Sequence, residues 1–519
     1  MFKREPKGRI ETGEIPVLRQ STEAPLSEST PEKGRTASRS LTIFKAFLLT
    51  ALMVLTLYGM LDRGLSGPER WVPAAAAILG LLFISLFIAD YFADTPRIAW
   101  ILVGILAVLV AVKGLSLTWS IAQTQTVNEL LRSSMYLASF TLAVSSLSSR
   151  RLVGPFIDGM SLIVGAVAGY GVLQKTDPIE YPNTIDGVSV ASTLEYANTV
   201  GAIVGMGIVL GLGRMTQLKN PIVRGLYAAL ILVFGVILYF TFSRGGMLAL
   251  GVGLVTLFVV GASRLQMLAN LLLVCGPLAW LMVQVQDLET LFEWGGAEDL
   301  RAAEGVSFRN DLMIAVLAAF VFQAVYAILV RRYEPPPVSR RSLGVAAMVA
   351  ILGVGTLGLV MIGEQRVEKT VDYISTRHPS LSSDQRAKYW EVAWEEWKKY
   401  PLTGTGAGTF SYTWLQNRPD LAGVQQVHNV YLEQGTETGI IGFLALTGFA
   451  ALLVGYLARA AWRAGGEQKV LLGGLTGAVI VYLVSSALEW HWYIPPSTIF
   501  FFILAGVAVK FASETERDT

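Results

Sequence analysis

What most constrains this chain is a recurring pattern of apolar stretches, each about twenty residues long and separated by short polar breaks. A helix rising 1.5 Å per residue crosses a hydrocarbon core of about 30 Å in that length. Lipid offers no partner to backbone N–H and C=O groups, so such stretches must satisfy their own hydrogen bonds as helices. The apolar cores fall at 42–62, 72–92, 98–117, 128–147, 152–174, 198–214, 222–242, 246–262, 267–285, 309–330, 343–362, 434–458, 469–488 and 494–512. They predict an all-α polytopic membrane helix bundle with about fourteen transmembrane helices. Composition agrees, because 53% hydrophobic and 15% charged residues over 519 positions is far from the profile of a soluble enzyme.

Charge placement orients the bundle. Residues 1–41 mix Glu, Lys, Arg, Ser, Thr and Pro without apolar period, which reads as a disordered cytoplasmic tail rather than a cleaved signal peptide. With that tail inside, Arg97, Arg150, Arg151, Arg214, Lys219, Arg224, Arg264, Arg331, Arg332, Arg340, Arg341, Arg459, Arg463 and Lys469 all fall on the cytoplasmic side. The opposite loops hold fewer cations, chiefly Arg63, Arg70, Lys175, Arg244, Arg301 and Arg309. The expected organisation is a tail (1–41), eleven helices (42–362), a large extracytoplasmic loop (363–433), three helices (434–512) and a second cytoplasmic tail (513–519). A formal net charge of +2 gives no electrostatic footprint for nucleic acid. The single cysteine, Cys275, lies in an apolar segment and reads as a small buried hydrophobe, with no disulfide framework or cysteine metal cluster.

The loop 363–433 breaks the pattern of short connections, and loops of that length are usually functional. Within it, 382–400 predicts an amphipathic helix with Trp390, Trp394 and Trp397 on one face, opposite Arg386, Lys388, Glu395 and Lys399. Such a helix is expected at the outer headgroup level, holding Arg386 near the phosphates of a lipid-borne substrate. A glycine-rich run follows, with Gly404, Gly406 and Gly408 at alternate positions that permit close backbone approach to another group. It lacks the Lys-Ser/Thr ending of a nucleotide-binding loop. The three histidines, His378, His428 and His491, all fall on the outer side. His378 precedes Pro379 in a polar turn, and His491 sits in Glu489-Trp490-His491-Trp492-Tyr493, an expected interfacial aromatic anchor. His428 differs, because it opens a stretch that leads directly into a membrane segment.

That stretch is His428-Asn429, nine intervening residues, then Gly439-Ile440-Ile441-Gly442. It resembles the signature of the bacterial O-antigen ligase and O-antigen polymerase superfamily, although Phe443 stands where ligases of that family often carry Thr. Ser192-Thr193-Leu194-Glu195-Tyr196-Ala197-Asn198, Ser243-Arg244-Gly245-Gly246 and the stretch from Arg386 to Phe410 follow the order shown by that family. The resemblance covers roughly residues 190–510. It implies a glycosyltransferase of the bacterial inner membrane that takes a glycan from undecaprenyl pyrophosphate and attaches it to an acceptor hydroxyl. The partners it implies are that lipid-linked donor, a glycan, lipid or protein acceptor, and membrane lipids.

The residues suit that chemistry. Departing pyrophosphate needs a metal or fixed cations, and Arg offers permanent charge with bidentate geometry. Arg244 and Arg386 are the expected phosphate-binding groups, and the resemblance implies an inverting mechanism with no metal and no cofactor. An acceptor hydroxyl must lose a proton as it attacks, and imidazole titrates near neutral pH, so His428 is the expected base. Glu433 and Glu437 follow on the same helix, and either orients His428 or replaces it. Asn429, Ser243, Gly404, Gly406, Trp390 and Asn198 are the expected substrate contacts. A lipid-linked oligosaccharide flippase or other transporter is the alternative, with Asp158 as its nearest embedded acid. A membrane scaffold is a further one.

Overall fold

The computed structural model describes residues 32–182, 187–292, 297–332, 383–421 and 423–517. The expected crossing at 343–362, His378, Arg340, Arg341 and the start of the large loop lie outside these residues. The chain divides into two compact units, 1–42 and 43–519. Helix α1 is Glu32–Leu61, α2 Pro68–Leu86, α3 Arg97–Leu115, α4 Gln123–Ser146 and α5 Val153–Thr176. Next come α6 Ala197–Gln217, α7 Pro221–Phe240, α8 Arg244–Val260, α9 Arg264–Gln284 and α10 Glu298–Arg332. The loop contributes α11 Ser383–Lys399 and α12 Phe410–Asn417, and α13 Val430–Arg463, α14 Gly466–Ser486 and α15 Pro495–Glu516 complete the chain. Among the described residues every regular element is helical, as the apolar pattern predicts.

Eleven of these helices are long and apolar enough to cross a membrane. Helix α8 is apolar but shorter, and α4 carries Glu129, Arg132 and several serines. The physical reason α4 tolerates this polarity is enclosure: from Met135 to Ser146 nearly every residue is buried, packed against α2, α3 and α15. Helices α6 and α15 are almost wholly enclosed, whereas α1, α2, α3 and α10 leave most of their apolar surface outward. Phe87, at the end of α2, is 74% exposed on that outer surface, and Leu162 on α5 is 70% exposed, as apolar residues facing lipid are. Inside, α14 lies tightly between α6 and α8: a Cβ on Gly253 would stand 2.9 Å from the Gly477 carbonyl oxygen, so the small side chains permit the contact.

Alternating helices bring one set of turns together at one end. The α1–α2 turn meets the α5–α6 connection through Arg63 Nε and Glu195 Oε1, 3.2 Å apart. The first turn of α4 meets the glycine-rich run through Thr126 Oγ1, which donates to the Ala407 carbonyl at 2.7 Å. The α14–α15 turn reaches α6 through His491. Asp158, the embedded acid, pairs with Arg214 (Nε–Oδ1 2.8 Å, Nη2–Oδ2 2.9 Å) and accepts from the Tyr227 hydroxyl, so neighbouring helices account for its charge.

Candidate active site

The site rests on a break in α13. Gly439 has φ +66° and ψ −164°, a conformation open essentially to glycine, and it interrupts the helix just inside the bundle. The break frees backbone groups that the loop then satisfies. Thr405 N donates to the Thr436 carbonyl (3.1 Å), Gly406 N to the Glu437 carbonyl (2.9 Å), and Ile440 N to the Pro401 carbonyl (2.9 Å). Irregular backbone at this depth persists only when buried and bonded, as it is here. The seam is closed by Glu437, whose two oxygens accept from Gly408 N (2.8 Å) and Phe410 N (3.1 Å). Beneath it lies a buried cluster in which Lys113 Nζ stands 3.3 Å from Glu129 and Arg132 pairs with the same carboxylate.

Glu433, one turn before Glu437 on α13, accepts from Val427 N (3.0 Å) and from the Tyr493 hydroxyl. The side chain of Asn429 caps α13 by accepting from Tyr431 N and Leu432 N, each at 3.1 Å. Between these anchors His428 adopts φ +58°, an uncommon left-handed conformation for a non-glycine residue. The fold therefore fixes the backbone at His428 from both sides. Its Nδ1 lies 3.5 Å from Glu489 Oε2.

Glu489 is the centre of the arrangement and was not among the residues expected from sequence. Only 1% exposed, it accepts hydrogen bonds from Arg386 Nη2 and the Tyr196 hydroxyl. Asn198 Nδ2 in turn donates to that hydroxyl at 3.1 Å. Burial opposes the charged form of Glu489, but the facing His428 imidazole and the positive charge of Arg386 outweigh it, holding its carboxyl below the usual range. Burial, aided by the Glu489 charge, pushes the Tyr196 hydroxyl well above its ordinary range, so it remains a donor.

The structure thus brings together Arg386, His428 and Asn198, and adds Glu489 and Tyr196. Arg386 differs from its expected position opposite the tryptophans. Tyr389, Ala393 and Arg386 share the inward face of α11, where Tyr389 packs edge-on to Trp414 at 4.9 Å between ring centroids. Trp390 is half-buried against the same cluster, while Trp394 remains half exposed. Gly404 and Gly406 are buried in the seam, where Cβ atoms would stand 2.3 Å from Glu437 backbone and 2.6 Å from Ser120. Both oxygens of Glu437 are engaged by the loop. Ser243 caps α8 through Gly246 N (3.1 Å) and packs near Gly201, one turn beyond Asn198. Arg244 is exposed beside it and pairs with no carboxylate among the described residues, and the next residue, Gly245, faces Leu488.

His491 is a correction to the expected interfacial anchor. It is fully buried, with Nδ1 2.8 Å from Thr199 Oγ1 and Nε2 2.6 Å from Ser485 Oγ. Burial lowers it to about 4, so it is neutral in the folded protein at neutral pH. The unfolded chain binds a proton near 6.5, so stability is full above that pH and is lost as pH falls towards 4. The loss amounts to at most about 3 kcal/mol. In detergent, the thermal midpoint of a His491→Gln variant is expected to change less between pH 7 and pH 5 than that of the native chain. An equal drop in both would contradict this account.

Three buried polar atoms at the site lack partners: Arg386 Nε, Tyr389 Oη and Trp390 Nε1. Buried polar groups are nearly always satisfied, so a cluster of orphans marks where a polar ligand completes the shell. Aromatic rings frame it, with Trp490 4.6 Å from Tyr196 and 6.4 Å from His428, centroid to centroid.

Residues 312–447 match the family model described as O-antigen ligase. The matched segment includes Arg386, the glycine-rich seam and His428, and it bears out the resemblance read from the sequence motifs. No curated protein matches the chain.

Proposed function

We propose that this integral membrane member of the O-antigen ligase superfamily moves a glycan from undecaprenyl pyrophosphate to an acceptor hydroxyl at the outer face of the membrane. Membership supports a glycan ligase or polymerase in general terms. The observation that carries the finer reading is a fixed cation, a positioned imidazole and unpartnered polar atoms in one buried site at the end of the bundle.

The acceptor O–H gives its proton to His428 as its oxygen attacks the anomeric carbon. The bond from that carbon to the pyrophosphate oxygen breaks, and its electron pair leaves with the pyrophosphate. Arg386 and Arg244 offset the charge that develops there, so no metal is required. One displacement at carbon inverts the anomeric configuration. Asn198, Trp390 and Tyr389 contact the substrate, while Asn429, Ser243, Gly404, Gly406 and Glu437 hold the backbone that presents it. Arg386, His428 and Glu489 meet at one end of the bundle and Asp158 is paired with Arg214, which favours surface chemistry over passage through the bundle.

The test uses purified protein with a defined undecaprenyl pyrophosphate-linked oligosaccharide and an acceptor glycolipid. Expected products are the acceptor carrying the glycan in inverted linkage and free undecaprenyl pyrophosphate, in excess chelator as well as without it. Flipping of the donor without transfer would favour the transporter reading. Replacing Arg386 with Lys or Ala is expected to lower kcat about a hundredfold or more, since Lys lacks the planar fork. Lys supporting full turnover would remove Arg386 from this role.

A further inference from the structure

The reaction as written assigns no step to Glu489, yet this carboxylate is the most connected group in the site. It lies in the turn between α14 and α15 and is met by Arg386 from α11, His428 from the start of α13 and Tyr196 from the start of α6. His491, two residues on, is the remaining titratable group near it, and both its ring nitrogens are already engaged. We infer that Glu489 is a positioning residue: it accepts Nδ1–H of His428, leaving Nε2 for the acceptor hydroxyl, and it holds Arg386 beside the same reacting centre. This rests on the functional reading above.

Three considerations support it. An imidazole works as a base only in the right tautomer, and a carboxylate on one nitrogen fixes which nitrogen carries the lone pair. The backbone at His428 is already fixed by the Asn429 cap and the Glu433–Val427 bond, so the ring rotation is the freedom left to a side-chain partner. A carboxylate 1% exposed is costly unless cations meet it, so this one is retained where two potential cations need orienting. The proton taken from the acceptor stays on Nε2, giving an imidazolium that the ionised Glu489 stabilises, and Glu489 does not change protonation state.

The experiment is Glu489→Gln, which keeps shape and removes charge, with Glu489→Asp as the conservative companion. Expected for Gln is a kcat lower by about a hundredfold or more with KM within about threefold, and partial recovery in Asp. In a His428→Asn background Glu489→Gln is expected to cost little more, because the two act as a unit. The negative charge favours imidazolium, so its removal is expected to move the acidic limb of the kcat/KM profile to lower pH. Activity-independent evidence comes from titrating the imidazole NMR signals; with three histidines in the chain, each is assignable by single substitution. The His428 midpoint is expected to fall in Glu489→Gln.

Unchanged kcat would overturn the inference. So would loss of activity with the His428 midpoint unmoved, which would make Glu489 a packing residue only. If the native protein transfers no glycan, the functional reading fails, while the imidazole titration still decides whether Glu489 governs His428.

Discussion

A His428→Asn variant is expected to insert and fold as the native protein does while losing about a hundredfold to ten-thousandfold of its glycan transfer rate. Asn is the informative replacement for a structural reason. His428 sits at φ +58°, a region Asn tolerates better than most residues, so the substitution removes the base without adding backbone strain. Ala removes the same base but also disfavours the left-handed conformation, so a comparison of the two separates chemistry from geometry. The loss is expected in kcat, with donor binding largely retained, because Arg386 and the aromatic frame are untouched. Transfer at the native rate in His428→Asn would dismiss His428 as the base, and Glu433 would then be the next residue to replace.

The second large effect is on folding. Gly439→Ala would place Cβ 2.2 Å from the Leu402 carbonyl oxygen and 2.3 Å from its carbon, at a backbone angle that L residues avoid. Neither atom belongs to a flexible side chain, so the loop must leave its seam or α13 must straighten. Either change breaks the Ile440–Pro401 and Gly406–Glu437 bonds and pulls the glycine-rich run away from Ser116 and Thr126. The expected cost is about 3 kcal/mol or more, combining strain with lost buried hydrogen bonds. Gly448 supplies the control on the same helix, because a Cβ there meets nothing within 4 Å. Gly448→Ala is expected to leave the thermal midpoint in detergent unchanged or slightly raised, while Gly439→Ala lowers it sharply or abolishes recovery of folded protein. Similar midpoints for both would mean that the seam contributes little.

The contrast between these two glycines also shows what was legible in the sequence. The membrane crossings were readable because lipid imposes a single requirement, apolar length, which leaves a local trace. His428, Arg386 and the glycine-rich run were readable because they occur as short motifs. That the glycines serve packing rather than ligand approach was not, since either use demands the same residue. The inward face of α11 was also hidden. The tryptophans drew attention to their own stripe, but the buried face belongs to Tyr389 and Ala393, which places Arg386 inward as well. Glu489 was concealed for a different reason. Its neighbours Trp490, Trp492 and Tyr493 look like an interfacial belt, and its partner Arg386 lies 103 positions away. Nothing local in such a stretch separates an acid at a headgroup from one enclosed by the fold.

That separation along the chain has a consequence for biogenesis. Tyr196, Arg386, His428 and Glu489 emerge from the ribosome in that order, and the hydrogen bond that joins the first to the last spans 293 positions. Until the final hairpin of α14 and α15 is in the membrane, Arg386 and His428 have no carboxylate to organise them. A nascent chain stalled before that point carries Arg386 and His428 without the carboxylate that joins them. Completion of membrane insertion is therefore the step that brings these four side chains together.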